Sequence, residues 1–197
     1  MAEARATRSA ILERGVAIAS VEGLERLTIG RLAIELGMSK SGVLGHFGSK
    51  EVLQLEVVDE AAAVFTREVA DRAAGAAHGF PRLLALSGAW VSYLERGVFP
   101  GGCFFTAAGI EFDDRPGRVR DAVAALTGVW ERDLRRQARL AVEAGDLPAD
   151  TDPDQVVFEL LGAMFALNHA LRLHGDRAAL PRARRVMARV LGHELPR

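Results

Sequence analysis

The stretch GMSKSGVLGHFGSK, residues 37–50, decides the fold. It contains four glycines, and two of them, Gly42 and Gly45, sit where a short helix has to run. Each costs about 1 kcal/mol there relative to alanine. It also contains Lys40 and Lys50, the only lysines in the chain. Just upstream, Thr28 can cap a helix whose apolar residues Ile29, Leu32, Ala33 and Leu36 share one face. Gly37 suits the left-handed turn that ends such a helix. Ser39 can cap a second short helix, which stops by Gly48, and Met38 and Val43 can hold it against the first. This pattern predicts a helix-turn-helix, whose second helix enters the DNA major groove with its N-terminal residues facing the bases.

That reading gives the glycines and lysines a purpose. Lys40, Ser41, Gly42, Gly45 and His46 fall on the outward face of the short helix. Small residues let the backbone approach bases or phosphates, and Lys40 can donate to a phosphate or to guanine acceptors. Lys50 lies in the first turn of the next helix, where the dipole disfavours a cation unless an anion is near. A helix N-terminus is itself an anion site, so Lys50 is expected to hold one DNA phosphate. Thr28, Arg31, Ser39 and Leu44 complete the candidate DNA-contacting set. Arg5 and Arg8 are candidates for an N-terminal arm.

Composition bounds the rest. The chain has 197 residues, 49% hydrophobic and 26% charged, which is globular. The net charge of −1 gives no support for a nucleic-acid partner; residues 1–50 carry seven basic against five acidic side chains and the remainder is net −3. One cysteine, Cys103, excludes an internal disulfide framework and a multi-cysteine metal site. It is expected to be a small buried hydrophobe. No apolar run of about 18 residues is free of charges, so no membrane span is expected. The N-terminus MAEARATRSAILERG lacks a signal core. These features together predict a cytoplasmic protein. No nucleophile elbow, phosphate loop, zinc helix or paired acidic motif occurs, so neither enzymatic activity nor a cofactor is expected. His169 and His174 are five apart, on different helix faces, so a shared metal is not expected.

Nearly every segment has helical period, and none alternates as a strand would. The chain is expected to be all-α with about nine helices. The first runs over about 6–21, and after the two short ones a fourth, capped by Ser49, runs to about residue 74. Later helices are expected over about 81–96, 103–112, 118–144, 153–174 and 179–191. An N-terminal three-helix unit, residues 1–50, precedes a larger bundle, residues 51–197. Trp90, Tyr93, Cys103, Phe104, Phe105, Trp130 and Phe165 are candidate lining for a ligand site, and their apolar character points to a small apolar effector. The stretch VVFELLGAMFALNHAL, residues 156–171, is apolar nearly all round, so it must be covered on both sides. Its Phe158, Leu161, Met164 and Leu171, with Val186 and Val190 of the last helix, are candidate homodimer contacts. Two reading heads on two half-sites require such a dimer.

The segment LTIGRLAIELGMSKSGVLGHFGSKEVL, residues 27–53, resembles the DNA-binding domain of the tetracycline-repressor (TetR) family of bacterial regulators. The match spans about residues 8–55. ERGVFPGGCFF, residues 95–105, is similar to a segment of one subgroup of the family's C-terminal domains. The resemblance implies a homodimer on a palindromic operator, with a ligand pocket and the dimer interface in the larger domain. It implies a ligand-responsive regulator, a repressor, whose effector shifts the fourth helix and respaces the two reading heads. At position 44 the family usually has a tyrosine that contacts phosphate, where this chain has Leu44. Gly45 also lacks a side chain that many members use. The alternative is an all-α small-molecule-binding protein or enzyme that does not bind DNA.

Overall fold

The computed structural model describes the backbone of residues 2–196 and the side chains of residues 7–196. Among these residues the fold is all-α, with nine α-helices and no strand. They are α1 (Ala2–Glu22), α2 (Ile29–Leu36), α3 (Lys40–Phe47), α4 (Lys50–Phe65), α5 (Phe80–Glu95), α6 (Phe104–Phe112), α7 (Arg118–Glu143), α8 (Pro153–Leu173) and α9 (Ala179–Leu191). The fourth helix does not run evenly to residue 74. It ends at Phe65, followed by a π-helical turn, Thr66–Ala70, and a 3-10 turn, Asp71–Ala73. Irregular turns of this kind are not encoded by an apolar period.

Two compact units result. The first comprises residues 1–64 and 99–126, the second residues 65–98 and 127–197. In the first unit, Ile11, Val16, Leu24, Leu27, Leu32, Val43, Phe47, Leu53 and Val57 are buried. α6 packs on α1, and two polar contacts fix that packing. The carboxylate of Glu111 accepts the backbone N–H groups of Leu24 at 2.7 Å and Glu25 at 3.2 Å. The Gly101 N–H donates to Ser20 Oγ at 3.1 Å, and a Cβ at position 101 would lie 1.6 Å from the Ser20 carbonyl oxygen. Only glycine fits that approach.

The second unit is built on α5, α8 and α9. Leu83, Leu86, Leu160, Leu167 and Met187 are buried there. Gln137, buried on α7, accepts the Gly79 N–H at 2.9 Å and so fixes the turn before α5. Pro81 and Pro153 occupy first-turn positions of α5 and α8, where the missing N–H costs nothing. α8 is the one helix among the described residues long and apolar enough to cross a membrane by length and composition (mean hydropathy 1.4), although Asp154, Glu159 and Arg172 interrupt its apolar run. Val156, Val157, Leu160, Met164 and Leu167 nevertheless bury one side of it in the bundle.

Candidate nucleic-acid interface

α2 and α3 owe their placement to local chemistry. The Thr28 Oγ1 accepts the Arg31 N–H at 3.1 Å and the Ser39 Oγ accepts the Gly42 N–H at 3.0 Å, so each helix has a side-chain cap. Gly37 takes φ 63°. Its N–H reaches the Ile34 carbonyl at 3.3 Å, while the Met38 N–H reaches the Ala33 carbonyl at 3.0 Å. This pair of bonds is a Schellman motif and turns the chain within three residues. Val43 and Phe47 are buried, which fixes the rotation of α3. Lys40, Ser41, Leu44 and Gly45 therefore face outward, with Gly42 and His46 half-buried beside them. A Cβ at position 45 would meet nothing within 4 Å, so the chain's own packing does not demand that glycine.

The cations divide sharply. Lys40 makes no ion pair or hydrogen bond among the described residues and stands exposed. Lys50 does not need a DNA phosphate to justify its position at a helix N-terminus, because its Nζ donates to Glu25 Oε1 at 2.7 Å. Arg31 is gripped from two sides, donating to both Glu22 oxygens at 2.6 and 3.1 Å and to Glu35 at 2.8 Å. Arg14 also donates to Glu35. A phosphate contact by Arg31 therefore requires breaking existing pairs. Arg8 is not part of a reaching arm: it pairs with Glu56, and its guanidinium lies 5.2 Å from the Phe47 ring centroid. Arg5 lies outside the described side chains. Sequence spacing did not reveal these carboxylates, because Glu22, Glu25 and Glu56 are brought in by tertiary packing.

The ion pairs shift titration. The Arg31 guanidinium holds Glu22 below the usual carboxylate range, Lys50 does so for Glu25, and Arg14 followed by Arg31 for Glu35. Arg31 itself is raised by Glu22 and Glu35. A carboxylate depressed in the folded state contributes stability above its unfolded pKa and loses it as pH falls through the folded one. These groups should leave stability flat above about pH 5 and add to its fall below about pH 4.5. Urea unfolding across that range, with Glu22→Gln and Glu35→Gln showing a weaker acid loss, is the check.

The other candidate residues separate. Trp90 and Tyr93 of α5 and Trp130 of α7 come together with Phe65. Cys103, Phe104 and Phe105 belong to the other compact unit, where Phe104 packs against Phe99 and Phe105. Phe165 does not join either cluster. It is 47% exposed on the open side of α8, with Phe158 at 72% and Leu173 at 67%. Met164, a candidate dimer contact, is 2% exposed and faces its own bundle, one helical position away from that open side. Leu161, Leu171, Val186 and Val190 are half-buried at the margins. The His169 and His174 rings meet at the C-terminal end of α8, 5.3 Å between centroids, although a five-residue spacing places them on different helix faces. No group of three metal-ligating side chains occurs among the described residues.

Comparison with known proteins agrees with this geometry. Residues 11–57 match the family model described as bacterial regulatory proteins, tetR family, and residues 79–187 match the tetracyclin repressor-like C-terminal domain. Comparison with curated proteins gave no match. Among solved structures, a TetR transcriptional regulator from Chloroflexus aurantiacus is 25% identical with a TM-score of 0.86, covering 98% of this chain and 96% of its own. A TetR-family regulator from Cytophaga hutchinsonii is 18% identical with a TM-score of 0.83, covering 100% and 99%. AibR, solved with isovaleryl coenzyme A and operator DNA, is 20% identical with a TM-score of 0.75, covering 92% and 96%. The helix-turn-helix geometry and the two matched models together make this chain a member of the TetR family of transcriptional regulators.

Proposed function

We propose that this regulator is a repressor that binds a palindromic operator as a homodimer and is released by a small apolar effector. The observation that carries the reading is the outward face of α3, where Lys40, Ser41, Leu44 and Gly45 stand clear of the protein's own core. The AibR structure, with both an acyl thioester and operator DNA bound, supports pairing the two activities in one chain of this fold. Residues 1–50 would read DNA, with Thr28, Ser39 and Lys40 nearest the backbone and Arg31 and Lys50 contributing only on leaving their carboxylates. Residues 51–197 would bind the effector and dimerise. The open side of α8, with Phe158, Phe165 and Leu173, and the margins Leu161, Leu171, Val186 and Val190 would meet a second copy. Such a role places the protein in the cytoplasm, with the DNA.

Selection of fragments from a random DNA pool by the purified protein tests the reading. An inverted repeat is expected, its half-sites separated by about one helical turn of DNA or a multiple of it. Recovery of unrelated fragments with salt-insensitive binding would favour an all-α binding protein without an operator.

Leu44 offers a second check. It is 43% exposed, so a tyrosine there can point outward without overfilling the core. A tyrosine hydroxyl on phosphate adds sequence-independent affinity. Leu44→Tyr is expected to raise affinity for operator and for random DNA by a similar factor, about tenfold per engaged subunit for one hydrogen bond to a charged group. Titrations on both DNAs, beside a melting curve, decide this. No gain on either DNA means that position 44 does not face phosphate.

A further inference from the structure

Four aromatic side chains form one cluster in the second unit. Phe65 and Trp130 lie 5.0 Å apart between ring centroids, Trp90 and Trp130 5.2 Å, Phe65 and Tyr93 5.4 Å, and Phe65 and Trp90 6.4 Å. All four pairs are edge-to-face, and these are contact separations for such pairs. No molecule fits between the rings, so the cluster is not an open cage for a cation.

What distinguishes the cluster from ordinary core is its indole nitrogens. Trp90 is 5% exposed. Its Nε1 and that of Trp130 are both buried, and neither has a hydrogen-bond partner among the described residues. An indole N–H can only donate. A buried donor left unmade is costly, and phenylalanine would fill either place without that cost. Two such donors on rings in contact call for an acceptor that the chain itself does not supply.

We propose that Trp90 and Trp130 are the polar contacts of the effector site and that they select a neutral ligand carrying an oxygen acceptor, such as a ketone, ester, amide or ether, on an apolar body. This rests on the reading of the chain as an effector-responsive regulator. The four ring side chains carry no formal charge, so a carboxylate or ammonium would be desolvated there without a counter-ion from the cluster. The hydrocarbon part of the ligand would lie against the ring faces, and its oxygen would accept from the indoles. The site is thereby assigned to residues of the second unit rather than to Cys103, Phe104 and Phe105.

The chain has two tryptophans, so an amide-correlation spectrum of the uniformly 15N-labelled full-length protein contains two indole signals, assigned by Trp90→Phe and Trp130→Phe. The probes are 2-acetylnaphthalene, 2-ethylnaphthalene and 2-naphthoate, alike in size and differing in the acceptor and its charge. 2-Acetylnaphthalene is expected to move both indole signals saturably and to bind at least tenfold more tightly than 2-ethylnaphthalene. 2-Naphthoate is expected to gain nothing over the hydrocarbon. Each Trp→Phe variant should narrow the ketone-to-hydrocarbon ratio while retaining hydrocarbon binding. Equal binding of ketone and hydrocarbon, preference for the carboxylate, or indole signals unmoved by every probe would overturn the proposal. The wild-type comparison stands even if a variant fails to fold. No DNA is present, so loss of operator binding would defeat the regulator reading without touching this result, and silent indoles beside intact operator binding would defeat only the pocket.

Discussion

Gly101→Ala is expected to lower the free energy of unfolding by about 3 kcal/mol or more, beyond the usual range for a single added methyl. The added Cβ would sit 1.6 Å from the Ser20 carbonyl oxygen and 2.1 Å from its carbonyl carbon. Both are backbone atoms at the end of α1, so no side-chain rotation relieves the collision. The loop must lift away, and the hydrogen bond from the Gly101 N–H to Ser20 Oγ is lost with it. Gly109→Ala on α6 is the matched control: a Cβ there meets nothing within 4 Å, and alanine favours helix by about 1 kcal/mol. Urea unfolding should show the first variant strongly destabilised and the second equal to or above wild type. Equal midpoints for the two would mean that the loop does not pack on α1 as described.

The second large effect is expected at Glu111. Its two oxygens accept the N–H groups of Leu24 and Glu25, closing the turn between α1 and α2. Removing a charged acceptor leaves two backbone donors unpaired, at a cost of about 2–3 kcal/mol for Glu111→Ala. Glu111→Gln retains one acceptor oxygen and should cost about half as much. Amide exchange at residues 24 and 25 should accelerate in the alanine variant. The turn also carries Glu25, the partner of Lys50, so its loosening should free that lysine. A Glu111→Ala variant within about 0.5 kcal/mol of wild type would show that solvent replaces the carboxylate without penalty.

Much of this architecture is legible from the sequence because its signals are local. Thr28, Gly37 and Ser39 act on neighbours within five residues, and the period of Ile29, Leu32 and Ala33 reports a buried face directly. The C-terminal end of α9 has the same kind of signal, with Gly192 in the left-handed conformation after Leu191. What the sequence concealed depends on distance along the chain. Lys50 finds Glu25, Arg8 finds Glu56 and Phe47, and Gly101 finds Ser20 across 81 residues. PGG at residues 100–102 reads as a turn, and nothing in its spacing announces a backbone contact with α1. Phe165 is exposed and Met164 buried, the reverse of what a lining residue and an interface residue would show, for a simpler reason. In a helix apolar on all sides, hydrophobicity alone does not say which side the bundle takes.

The proposed operator binding depends on α3 presenting Lys40 to DNA. The most direct test is the salt dependence of binding to one operator duplex by wild type and Lys40→Ala. Affinity should fall steeply with salt for wild type, and the variant's slope of log affinity against log salt should be shallower by about one per subunit, hence about two per bound dimer. An unchanged slope, or wild-type binding indifferent to salt, would contradict the claim.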